Sequence, residues 1–176
     1  PDHHTRNALT GDINFLSAQS ANQGNEVMTG MDFGATYDFE FASIQNRVGL
    51  LGSHLDKYEI TTFAGGAPIV RDGTVGCCVG GYPEWRWYGN WVMSTERWGA
   101  SYNLQVIGEA TNRNGVPGVI GTDIDAVYYH SIQGSYIFNE DITVRVGIDN
   151  LLDEDAPYVS VGTDGNTDTM TYSLFG

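Results

Sequence analysis

The sequence predicts an all-β fold: an antiparallel transmembrane β-barrel segment of about seven long strands, making up an incomplete barrel. Three observations carry that reading. From Val27 to Phe39 the odd positions are Val27, Thr29, Met31, Phe33, Ala35, Tyr37 and Phe39, with Gly30, Asp32, Gly34, Thr36 and Asp38 between them; a period of two marks a strand with one apolar and one polar face. The run outlasts the usual soluble strand of about five or six residues and reaches the roughly nine to eleven tilted residues that cross a bilayer. Short and long connections alternate along the chain, as in outer-membrane barrels with short periplasmic turns and long external loops.

Taken in order, a weak first strand is expected near residues 10–19, then the long strand 26–40 after the turn Ala21-Asn22-Gln23-Gly24-Asn25. A brief connection at 43–46 leads to strand 47–60, whose register is open because Leu50, Leu51 and Leu55 do not keep one parity. Residues 61–80 are Gly-rich and irregular and read as a long exposed loop. Strand 82–93 sets Trp85, Trp87, Trp91 and Met93 against Arg86, Tyr88 and Asn90, and a turn at 94–97 returns the chain into strand 98–110. There Trp98, Ala100, Tyr102, Leu104 and Val106 face out, with Ser101, Asn103, Gln105 and Glu109 facing in. A second exposed loop, 111–122, carries Asn114-Gly115 and Pro117-Gly118 turn signals. Strand 123–138 places Ile124, Ala126, Tyr128, Ile132, Tyr136 and Phe138 on one parity, with His130 as the odd member of that apolar set. After the tight turn Asn139-Glu140-Asp141, strand 142–151 alternates Ile142, Val144, Val146 and Ile148 with Thr143, Arg145, Gly147 and Asp149. An acidic, Gly-containing segment follows to Phe175-Gly176 with no further strand pattern, which leaves the count one short of the even number, at least about eight, of a bacterial barrel.

Composition agrees with this picture and excludes others. The 176 residues include 23 glycines, 12% aromatic and only 17% charged residues, which suits strands and turns better than helices. No apolar run is long enough for a membrane helix. With 22 acidic against 8 basic residues the formal net charge is −14, so phosphate backbones are repelled and nucleic acid is not an expected partner. The polar start Pro1-Asp2-His3-His4-Thr5-Arg6 is unlike a signal peptide, and the chain reads as processed or excised from a longer one.

Motifs for chemistry are sparse. There is no nucleophile elbow, Cys-His arrangement, phosphate loop or spaced metal cluster, so an enzyme, a metal site and a cofactor are not expected. Asp164-Gly165-Asn166-Thr167-Asp168 has calcium-loop spacing, but Thr169 stands where that loop needs Gly and no Glu closes it; the acids read as a solvated loop. His3-His4 reads as a flexible end. Adjacent Cys77 and Cys78 fit no CxxC pattern, and stay open between a vicinal disulfide, free thiols and bridges to partners, with an oxidised loop cysteine favoured. The tryptophans Trp85, Trp87, Trp91 and Trp98 suit a periplasmic-side aromatic girdle better than a sugar-stacking platform. Inward Asp32 and Asp38, and Arg86, Asn103, Glu109, Asp125, Arg145 and Asp149, are placed to hydrate the lumen or to line a ligand path.

Several stretches also resemble a family. Val146-Gly147-Ile148-Asp149-Asn150-Leu151-Leu152-Asp153-Glu154-Asp155-Ala156-Pro157-Tyr158, followed by Gly165-Asn166-Thr167-Asp168 and Thr171-Tyr172, looks like the penultimate strand and last external loop of TonB-dependent outer-membrane receptors. Asn22 to Tyr37, with Gly30-Met31-Asp32, resembles that family's Asn-Gly turn and following strand. Pro83-Glu84-Trp85-Arg86 through Ile107-Gly108 is similar to its Pro-x-x-Arg strand, short turn and return strand. The resemblance implies that residues 1–176 are the C-terminal barrel portion of a Gram-negative outer-membrane receptor, with plug and final strand absent. It further implies active uptake of a siderophore, cobalamin or oligosaccharide, with outer-membrane lipid, the small-molecule ligand, and the TonB complex acting through the missing plug as partners. External loops 61–80, 111–122 and 153–173 would then contribute to ligand capture. The competing class is a secreted all-β carbohydrate-binding module that uses its Trp cluster.

Overall fold

The computed structural model describes residues 4–16, 24–76, 80–160 and 171–172. Twelve strands run through these residues: β1 (His4–Arg6), β2 (Ile13–Leu16), β3 (Asn25–Phe41), β4 (Ile44–Thr61), β5 (Ile69–Val70), β6 (Thr74–Val75), β7 (Trp85–Ser94), β8 (Trp98–Ile107), β9 (Ala110–Asn112), β10 (Asp123–Ile124), β11 (Val127–Ile137) and β12 (Thr143–Ile148). No helix occurs among the described residues. The main sheet is an antiparallel meander ordered β12-β11-β8-β7-β4-β3, with β5 added on β4, and it is open, with β3 and β12 at its two ends.

Local chemistry fixes each hairpin. Ala42 and Ser43 both take positive φ, 50° and 61°, so β3 and β4 join through a two-residue turn of the type that matches strand twist, and β4 begins at Ile44, inside the expected connection. Between β7 and β8 the Thr95 hydroxyl accepts from the Arg97 and Trp98 amides at 3.3 and 3.1 Å. Between β11 and β12 the Asn139 side-chain oxygen accepts from the Asp141 and Ile142 amides at 3.0 and 2.8 Å. These three short turns share one end of the sheet, and the long connections share the other.

Register settles the faces. Phe33, Gly52, Trp87, Val106 and Tyr128 stand in one cross-strand row, and Tyr37, Val48, Trp91, Tyr102, Ile132 and Ile148 in another. The odd residues of β3 and β7 therefore share a face with the even residues of β8, β11 and β12. The trio of leucines resolves accordingly: Leu50 belongs to the apolar face, Leu51 and Leu55 to the polar one, and Asp56 is the extra residue of a bulge opposite Thr29 and Gly30. Met31 and Val146 on the apolar face are 63% and 67% exposed, so no second layer covers them.

The buried core lies elsewhere. Val75, Ile107, Ala110, Ile124, Val127, Tyr129, Val159 and Tyr172 cluster at the loop end, where β6, β9 and β10 make a small separate sheet. The stretches 61–80 and 111–122 are exposed over much of their length, as at Phe63, Ile69, Val119 and Ile120, but they are also anchored in a folded cap: Val75 is fully buried, and Asn112 and Thr122 are nearly so. Their glycines hide this in the sequence, because the few apolar residues between them show no period. Strand 98–110 breaks at Gly108, where an added Cβ would sit 2.7 Å from the Trp85 carbonyl oxygen and where the Gly108 amide donates to that oxygen at 2.8 Å. Strand 123–138 likewise splits, and Ile124 joins the cap core together with Val127 and Tyr129 instead of the apolar face of β11.

The first expected strand is also corrected. β2 pairs with β1 outside the main sheet, because Asn7 turns the chain back: its side-chain oxygen accepts from the Leu9 amide at 2.9 Å and its carbonyl from the Gly11 amide at 2.9 Å. β12 ends at Ile148, before the expected boundary. Asn150, at φ 47°, then closes the following turn by donating to the Glu154 carbonyl and accepting from the Glu154 amide, both at 2.9 Å. The calls on His3, on Cys77 and Cys78, and on Asp164 to Asp168 lie outside the described residues.

Candidate functional site

The polar face is built row by row from facing strands. Asp32, Ser53, Arg86 and Ile107 are register partners across β3, β4, β7 and β8. One row toward the short turns come Gly34, Leu51, Tyr88, Gln105 and Tyr129, then Thr36, Gly49, Asn90, Asn103 and Ser131. Further down, Arg47 pairs with Asp38 through two contacts of 2.6 and 3.3 Å. Both side chains are largely exposed, so this pair adds little stability.

Arg86 is the centre of the arrangement. It lines a concavity of about 660 Å³ with Asp32, Leu51, Ser53, Tyr88 and Gln105, and a second of about 640 Å³ with Asp32, Ser53, Leu55, Gly81 and Tyr82. Its guanidinium donates to the Gly81 carbonyl oxygen at 3.1 Å, which ties the wall to the base of the cap and leaves the rest of its five-donor fork toward the groove. Asn103 works inside the wall: its side-chain oxygen accepts from the Tyr88 hydroxyl and from the Asn90 amide, both at 2.8 Å.

The other sequence candidates part company. Glu109 and Asp125 meet in a smaller cap cavity of about 360 Å³, joined there by Glu84 and Asp123, which the sequence reading did not single out. Among the described residues no group of His, Cys, Asp and Glu is arranged to hold a metal ion. Arg145 pairs with Ser135 near the short turns and Asp149 follows the end of β12, so both lie beyond β8 in the sheet order, away from Arg86. Ser53 and Gln105 join Arg86 across the ladder, and their only signal in the sequence is a shared parity.

The apolar face carries its own constellation. Trp85 and Trp87 stack at 5.7 Å and 8°, with Phe33 edge-on to Trp87 at 4.8 Å and His54 4.1 Å from Trp85. This group lies at the loop end, whereas Trp91 donates from Nε1 to Asn46 at 3.1 Å and Trp98 starts β8 beside the short turns. The four tryptophans therefore form neither one platform nor one girdle on the short-turn side. His130 is accommodated on this face by the Tyr102 hydroxyl, 2.7 Å from its Nδ1.

No family model, curated protein or solved structure matches this chain.

Proposed function

We propose that this chain is part of the wall of a TonB-dependent outer-membrane receptor in a Gram-negative bacterium, importing a small ligand such as a siderophore, cobalamin or oligosaccharide. The observation that carries the proposal is the uncovered apolar face, continuous over β3, β4, β7, β8, β11 and β12 and backed by a polar face on the same single sheet. A soluble sheet must bury such a face against a second layer; lipid is the solvent that makes burial unnecessary.

Dimensions support the reading. From Trp85 to the level of Thr95 the wall rises ten residues, about 34 Å along a strand and roughly 24 Å at a tilt of about 45°, close to the apolar height of outer-membrane barrels. Aromatic rings mark both ends of that interval: Phe33, Trp85 and Trp87 at one, Phe41, Trp98 and Tyr136 at the other. In this reading the polar face lines the lumen, and Arg86, held from the cap side by Gly81, meets a ligand descending from the external loops. A carbohydrate-binding module gains less support, because the stacked pair Trp85 and Trp87 is surrounded by Met31, Phe33 and Val106 with few polar groups to bind sugar hydroxyls.

Fractionation of cells producing the full-length protein tests the proposal. The protein is expected in the outer membrane and to need detergent for extraction. A monomer that stays dispersed in detergent-free buffer would contradict it.

A further inference from the structure

The three long connections do not hang separately from the sheet. Arg113, at the end of β9, donates to the Thr74 hydroxyl at 2.8 Å and to the Gly76 and Gly80 carbonyls at 2.9 and 3.1 Å, gripping the β4 to β7 connection. Its neighbour Asn112, only 2% exposed, donates from its side-chain amide to the Ser160 carbonyl and to the Gly121 carbonyl at 3.3 Å, and accepts from the Asn114 amide at 3.0 Å. Gly121 meets the same strand of contacts: its φ of +82° and a would-be Cβ 2.6 Å from the Ser160 nitrogen leave room for no side chain. The Gly81 amide donates to Thr171 at 2.7 Å, which closes the circuit between the first connection and the last.

We infer that these connections form one cooperative cap over the polar face, with Asn112 as the positioning residue that ties the second connection to the last while its neighbour Arg113 grips the first. Two features make the unit cooperative. Val75, Ile124, Val159 and Tyr172, one or more from each connection, share the single buried core, so withdrawing one connection exposes apolar surface on the others. The side chain of Asn112 uses donor and acceptor at once in a buried position; removing it takes its donor from the Ser160 carbonyl and leaves the Gly121 carbonyl with the Ser160 amide and hydroxyl alone. A cap built this way opens as a whole or stays shut, and the mouth above Arg86 is preformed and not moulded loop by loop around a ligand.

Hydrogen exchange on the full-length folded protein reads this directly. The amides of Thr111, Asn112, Arg113 and Ser160 bond to Gly73, Thr122, Val75 and Gly121 respectively, so together they report all three connections. In the unaltered protein they should exchange slowly and at a common opening rate. In Asn112→Ala all four should accelerate together, by roughly tenfold to a hundredfold, while ladder amides between β7 and β8 stay within about twofold. Ser160→Ala, a milder change that removes its hydroxyl bond to the Gly121 carbonyl, should accelerate the same four by a smaller factor if Asn112→Ala does not fold. Unprotected amides in the unaltered protein, or acceleration confined to residues 111–113, would overturn the inference. The result does not depend on whether the apolar face meets lipid, so it stands or falls apart from the receptor proposal.

Discussion

At the scale of single residues, two neighbours on β8 stand on the two faces of the wall. Leu104 stands in the apolar row with Ala35, Leu50, Gly89 and His130, between the two aromatic ends, and Gln105 stands in the polar row with Leu51, Tyr88 and Tyr129. Under the receptor proposal, arginine at the first position enters hydrocarbon and at the second joins a wet groove. In lipid vesicles Leu104→Arg is expected to lower unfolding stability by about 2 to 4 kcal/mol. Gln105→Arg should change it by no more than about 0.5 kcal/mol, as read from urea titrations of the reconstituted protein. Equal effects of the two substitutions would mean that both faces see the same environment. His130 shows how a polar residue lives in the apolar row: Tyr102 one strand away meets its ring nitrogen, so the pair presents its carbon atoms outward.

At the scale of elements, the turns and breaks decide where strands start and stop. Ser43 holds φ at 61° without being glycine, a conformation that costs an L-residue about 1 to 2 kcal/mol. Ser43→Gly should release that cost, partly offset by the freer unfolded chain, for a net gain of about 0.5 to 1 kcal/mol in the same titration; a loss would show that the Ser43 side chain contributes to the turn. Parity in the sequence was enough to assign β3, β7, β8, β11 and β12 to their faces, because each alternates over most of its length, with His130 the exception in β11. It failed where alternation ran past a break: Ala110 and Ile124 keep the apolar rhythm of their neighbours but belong to the cap core. The β6 to β9 pairing joins Thr74 to Thr111 in parallel, a contact between residues far apart in the chain that no local pattern announces. The bulge at Asp56 was hidden for a similar reason, since only the partner strand shows that one residue is left over. At the candidate site, the sequence marked Arg86, but its tether to Gly81 and the convergence of Ser53 and Gln105 depend on register across three hairpins.

At the scale of the whole molecule, the buried core and the apolar face are separate. Among the described residues the core sits at the loop end, where Ile107 of β8 and Val127 and Tyr129 of β11 meet the long connections, and the apolar face of the long strands is left uncovered. Four of the acidic residues, Glu84, Glu109, Asp123 and Asp125, gather around one cap cavity. β3 and β12 are the open edges of the sheet; under the receptor proposal their main-chain groups pair with further strands, since unpaired backbone is not tolerated in hydrocarbon. The central claim is that one face of this sheet meets lipid and the other meets water. Its most direct test places nitroxide labels singly at residues 100–106 of β8 in the full-length protein, with Cys77 and Cys78 replaced by Ser, and compares collision with oxygen and with a water-soluble nickel complex in bilayers. Even positions should favour oxygen and odd positions nickel, alternating through the whole run; a uniform response, or labels on both faces shielded from both reagents, would contradict the account.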